Sequence, residues 1–201
     1  MIITLNLILI VMIKIQKPLD KIIKSRVIFF VAMLLFLSLN HTNLSFAFES
    51  AQMDTKVEIF SVIKKVINSL PLDPDRISQI INVNLHEDVT QSDDYFSVKQ
   101  GHSVQGSPFA DIELRTPQTK ATVPDGLIIL VINESNRIKK DDMIDQFGQP
   151  KGLLLPTPQE PKESPLFYIY NYVWGSLKFG FDRDNKNYLK KVIIDATEQN
   201  K

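Results

Sequence analysis

"RIKKDDMIDQFGQPKG", residues 137–152, decides the fold of this 201-residue chain. Ile138, Met143, Ile144 and Phe147 recur at helical spacing and form one apolar stripe. Asp141 and Asp142 stand in the first turn, where the helix dipole favours acid. Gly148 can take the left-handed conformation that satisfies the last carbonyls, and Pro150 stops the helix from continuing. The spacing predicts one short helix over about 139–147, and none of these residue types brings chemistry. The stretch is a scaffold, so its neighbours decide the architecture.

On both sides of it lie strand signals. "YFSVKQ" (95–100), "FADIELRT" (109–116) and "GLIILVIN" (126–133) precede it, rich in β-branched or aromatic residues and separated by Gly, Pro, Ser and Asp. "FYIYNYVW" (167–174), "SLKFGFD" (176–182) and "YLKKVIID" (188–195) follow it, with hairpin punctuation at Gly175 and in "DRDNKN". The run 127–132 is apolar throughout, which predicts a central strand covered on both faces. Upstream, 53–70 shows helical recurrence, and "PLDPDR" ends it. Asp73 and Pro74 then read as N-cap and first residue of a second helix, about 74–81. Helices, strands, a helix and strands again predict an α+β fold, an antiparallel sheet packed by helices. "DRISQI" (75–80) and "DMIDQF" (142–147) echo each other at an offset of 67 residues. The echo is compatible with two tandem helix–strand units, about 54–133 and 137–196.

"IKKDDMIDQFGQP" followed by "YIYNY", "GSLKFGFD" and "LKKVIID" resembles a module found in two exported families. One comprises the small outer-membrane lipoproteins of the barrel-assembly machinery; the other is the β-lactamase inhibitor protein, which repeats the module. The likeness covers about 60 residues, 137–196. It implies an envelope or secreted protein that binds proteins in a bacterium. The chain departs from both patterns, since it has no cysteine for a lipid or for disulfides.

The N-terminal region points the same way. The apolar run 27–39 follows the basic "KPLDKIIKSR" and precedes Ser45-Phe46-Ala47, which places small residues where a signal peptidase reads them. Cleavage is expected after Ala47, with residues 1–47 a signal region and 48–201 one exported domain; retention as an uncleaved anchor is the alternative. A second apolar run, 1–13, precedes the basic flank, and a true start at Met12 would explain it. Each run is shorter than the roughly 20 residues that span a bilayer. Residues 48–201 keep 18 Lys and Arg against 22 Asp and Glu, a net charge of −4. A mildly acidic domain without a basic patch has little to offer nucleic acid. The expected partner is another protein of the envelope or a secreted enzyme, with no stable membrane anchor after cleavage.

Chemistry is sparse. "GHSVQG" (101–106) departs from the Gly-x-Ser-x-Gly elbow by one residue, and His102 is the last histidine, so a tight turn is expected. His86 and His102 have neither helical pairing nor cysteine, and no metal site or cofactor is indicated. Glu87, Asp88, Asp93 and Asp94 could do acid–base work if a pocket held them apart, as a carboxylate-dependent hydrolase requires. A solvated acidic loop is the simpler reading.

The aromatic strand is the better lead. Alternation places Tyr168, Tyr170, Tyr172 and Trp174 on one face, with Phe167, Ile169 and Val173 on the other. The Tyr/Trp face is expected to anchor a partner, with Leu153, Leu154 and Leu155 presented by the Pro-rich loop beside it. The alternative is that this face is half core and the leucines form a short closing strand. The expected function is a non-enzymatic protein-binding domain, an inhibitor or immunity-type protein. An envelope-assembly accessory factor is the alternative.

Overall fold

The computed structural model describes residues 55–102, 107–183 and 187–198. The expected signal region with its cleavage after Ala47, the Met12 start, and Ser103 to Gly106 of the Gly-His-Ser stretch lie outside the described residues. So do Asp184, Asn185 and Lys186 of the expected hairpin signal "DRDNKN".

Among the described residues, three α-helices and eight strands make an α+β fold. Helix α1 spans 55–68 and α2 spans Pro74–Ile81. The strands β1 (His86–Glu87), β2 (Phe96–His102), β3 (Phe109–Pro117) and β4 (Leu127–Ile132) follow. Helix α3 (Lys140–Phe147) interrupts them, and β5 (Gly152–Leu154), β6 (Leu166–Tyr172), β7 (Gly175–Phe181) and β8 (Leu189–Asp195) follow. All pairings are antiparallel, in the sheet order β1-β2-β3-β4-β8-β7-β6-β5. Helix then four-stranded meander therefore occurs twice along the chain, and the two meanders meet at the β4–β8 pair. No described helix is long and apolar enough to cross a membrane.

The short helices are held by their ends, since eight residues hold little helix by propensity alone. Asp73 caps α2 by accepting from the Arg76 amide at 2.8 Å. At α3 the roles reverse: Asp142, on the first turn, accepts from the Lys139 amide at 2.8 Å. The same carboxylate meets Lys56 of α1 at 3.0 Å. Gly148 ends α3 with φ +76, and its amide donates to Ile144 at 2.8 Å. Its ψ of −167 is a glycine-only conformation outside the left-handed helical region expected from the sequence.

One buried cluster joins the helices to one face of the sheet. Ile59, Phe60, Ile63 and Val66 of α1, Ile77 and Ile81 of α2 and Met143 of α3 are buried with alternate residues of the strands. Among those strand residues are Ile112, Leu114, Ile128, Leu130, Leu177, Phe179, Val192 and Ile194. Phe147 is the direct link, its ring 5.8 Å from Phe60 and 5.0 Å from Phe179. The burial fits β4 only halfway to its sequence. Ile128, Leu130 and Ile132 are buried, whereas Leu127, Ile129 and Val131 stay half-exposed. β4 is central, as its apolar run predicts, but the described residues cover it on one face only.

Candidate functional site

The tyrosine strand turns its hydroxyl-bearing residues inward. Tyr170 pairs with Leu177 and Tyr168 with Phe179, partners that belong to the buried cluster. Tyr170 is 5 % exposed, and its ring lies against Phe147 and Phe179. Its hydroxyl donates to the Gly148 carbonyl at 2.6 Å. Burial, followed by the charge of the neighbouring Tyr172, pushes its pKa up to about 12. Tyr172 is raised by burial too. It stacks on Trp174 with ring centroids 5.0 Å apart and planes 8° from parallel. Tyr168 packs edge-on to Phe181 and carries the Lys140 ammonium 4.5 Å above its ring. Tyr168, Tyr172 and Trp174 are half-buried against the core. Of the residues expected to meet a partner, Tyr170 is therefore withdrawn from solvent.

Leu153, Leu154 and Leu155 are 54 %, 53 % and 61 % exposed. Leu153 and Leu154 form β5, the edge strand, and pair with Tyr168 and Phe167. The Pro-rich segment after them is built of two turns, with Glu160 donating to Thr157 and Ser164 to Pro161. The rigid support for the leucines is thus a strand backed by turns.

The other face of the sheet is the surface that the sequence did not single out. Pairing registers place its side chains in three rows. Val98, Arg115, Leu127, Asp195, Ser176 and Asn171 form the first. Gln100, Glu113, Ile129, Ile193, Lys178 and Ile169 form the second. His102, Asp111, Val131, Lys191, Gly180, Phe167 and Leu154 form the third. None of these residues belongs to the helix-lined core cluster, although Val98, at one corner of the face, is itself buried. The aliphatics occupy the middle, on β4 and β8. Around them the carboxylates are answered within the face: Glu113 by Arg115 at 2.7 Å, Asp195 by Lys178 at 2.9 Å and Asp111 by His102 at 2.7 Å. Burial alone would raise the Asp195 pKa. Hydrogen bonds from Thr197 and Lys178, with the lysine's charge, outweigh it and hold the carboxyl below its ordinary value.

The acidic stretch after His86 is a set of loop staples. Asp88 accepts from the Thr90 amide and hydroxyl at 2.9 and 2.6 Å, and Asp93 from the Tyr95 and Phe96 amides at 2.8 and 2.7 Å. These bonds lower both carboxyls, led by the Thr90 hydroxyl at Asp88 and the Phe96 amide at Asp93. Asp94 pairs with Lys120 and Glu87 faces Lys99, so each of the four acids has its own local partner. Gly101 and His102 end β2, and the next described strand is β3, where a nucleophile elbow would lead into a helix. Among the described residues no group of three or more His, Asp or Glu is placed to hold a metal ion. No protein-family model, no curated protein and no solved structure matches the chain.

Proposed function

We propose that the chain is an exported, non-enzymatic domain that binds another protein of the cell envelope or a secreted enzyme, in the manner of an inhibitor or immunity protein. One observation carries the reading. β4 is written for burial on both faces, yet Leu127, Ile129 and Val131 face outward beside Ile193 of β8. Apolar surface gains roughly 25 cal/mol per Å² when removed from water, so such a band favours a covering partner. Strands about 4.8 Å apart and roughly 20 Å long give the face on the order of 700 Å², close to one side of a standard protein interface. Leu154, paired with Phe167 at the edge, extends the same face. The expected docking surface is therefore this open face with the leucine edge, in place of the Tyr/Trp face.

The experiment is capture from envelope extract by the full chain and by Ile129→Asp and Leu154→Asp variants. A stoichiometric partner kept by the wild type and lost by Ile129→Asp, with the thermal melt still cooperative, supports the reading. Equal capture by both sinks it. Export rests on the basic flank, the apolar run and Ser45-Phe46-Ala47. Mass spectrometry of the protein from the culture should find Phe48 at the N-terminus; an intact Met1 peptide in the exported fraction overturns the cleavage.

A further inference from the structure

The third row of the open face runs into a depression of about 1000 Å³. Val131 and Lys191 belong both to that row and to its wall, and Ala110 and Pro165 add apolar surface. Its charges divide into two groups. Lys190 is bound to Glu134 at 2.6 Å and to Asp182 at 3.3 Å, which leaves that side of the wall slightly acidic. Lys162, Arg183 and Lys191 remain against Glu163 alone. Arg183 donates to the Lys162 carbonyl at 3.0 Å, which leaves the Lys162 ammonium outside that bond. Lys191 is the one cation of the three rows for which the described residues provide no carboxylate within ion-pair distance.

We infer that this depression receives a carboxylate-bearing segment of the partner, an Asp or Glu flanked by apolar side chains, with Lys191 and Arg183 as its counter-ions. The inference rests on the docking-face reading above and specifies the partner's chemistry. Three features select that ligand. The depression is continuous with the aliphatic rows, so a protein lying on the face can reach into it. Its volume matches a site for a multi-atom group and far exceeds what a lone inorganic anion fills. The carboxylates of Glu134, Glu163 and Asp182 in the wall oppose a polyanion, whereas a single carboxylate meets a modest positive excess. The rest of the face is neutralised internally, so charge recognition is concentrated at this one end.

The probe is a phage-displayed library of random 12-residue peptides, selected on the immobilised full chain. Enriched sequences should carry Asp or Glu beside Leu, Ile or Phe. A synthetic peptide of the leading sequence should bind at least tenfold more weakly when its acid is replaced by the amide. Lys191→Glu and Arg183→Glu should each cause a similar loss, Lys191→Arg should restore binding, and Lys65→Glu on α1 should change nothing. Absence of enrichment, or enrichment without acidic residues, overturns the inference. So does competition by millimolar inorganic phosphate with no need for the apolar residues, which marks a plain anion site. Binding lost in Ile129→Asp but unchanged in Lys191→Glu refutes the carboxylate pocket and leaves the docking face standing. A self-associating chain that Lys191→Glu renders monomeric makes a second copy the occupant and overturns the partner assignment.

Discussion

The Tyr170 hydroxyl donates to the Gly148 carbonyl oxygen at 2.6 Å and so ties β6 to the end of α3 across 22 residues. That carbonyl stands where a helix leaves its last acceptors unpaired, and the buried phenol satisfies it. The strand's inward face is therefore set by the helix that precedes it.

Tyr170→Phe removes this bond and leaves the carbonyl poorly paired, which should cost about 1 kcal/mol in denaturant unfolding. The alkaline behaviour is the sharper signature. The folded phenol titrates at about 12 against an ordinary 10, so the folded state holds its proton longer than the unfolded state. Stability from this group is complete below pH about 10 and is lost as pH rises through 12. The wild type should lose up to roughly 2 kcal/mol more than Tyr170→Phe between those limits. Parallel stability curves for the two proteins would refute the assignment.

Phe147 joins three rings, those of Phe60, Tyr170 and Phe179. Phe147→Ala should cost about 3 kcal/mol, the lower end for a core phenylalanine because the ring is half-buried. Equilibrium unfolding in urea measures it, with the midpoint falling and the slope unchanged.

Gly175 opens β7 at φ +143, and a Cβ there would lie 2.1 Å from the Asp195 carbonyl oxygen. Backbone on the opposing strand cannot give way cheaply, so Gly175→Ala should cost more than 2 kcal/mol. Gly148→Ala meets nothing within 4 Å and strains only the backbone, held at a glycine-only φ and ψ, so it should cost about 2 kcal/mol, less than Gly175→Ala. The order of the two melting temperatures checks the distinction.

Asp195→Asn tests the Asp195–Lys178 ion pair of the open face. A carboxyl held below its ordinary value stabilises the fold above the unfolded pKa of 3.8, and the benefit is lost as pH falls through the lower folded value. The variant should be less stable by about 1 kcal/mol near neutrality, and the gap should close below about pH 4. A gap that persists at pH 2 would assign the effect to packing.

Much of the architecture is legible in local pattern. The helix at 74–81 and the strands at 109–117 and 127–132 begin and end within a residue or two of their periodicity, because caps, prolines and alternation act over a few residues. β1 was not legible. Two exposed residues, His86 and Glu87, become a strand only because Gln100 and Lys99 lie opposite them. The open face was hidden for a related reason, since its rows interleave residues from seven strands.

The sequence by itself determined that residues 167–174 alternate and that β4 is apolar on both sides. Which of those faces would be buried belonged to the tertiary structure. Both faces of β6 are rich in large side chains, so period-two alternation leaves the choice open. Phe147, arriving on α3 from more than 20 residues upstream, takes Tyr170 and Phe179 for the core. Once that phase is chosen, Phe167, Ile169, Ile129 and Ile193 must face the other way, and the pairing registers assemble them into one surface.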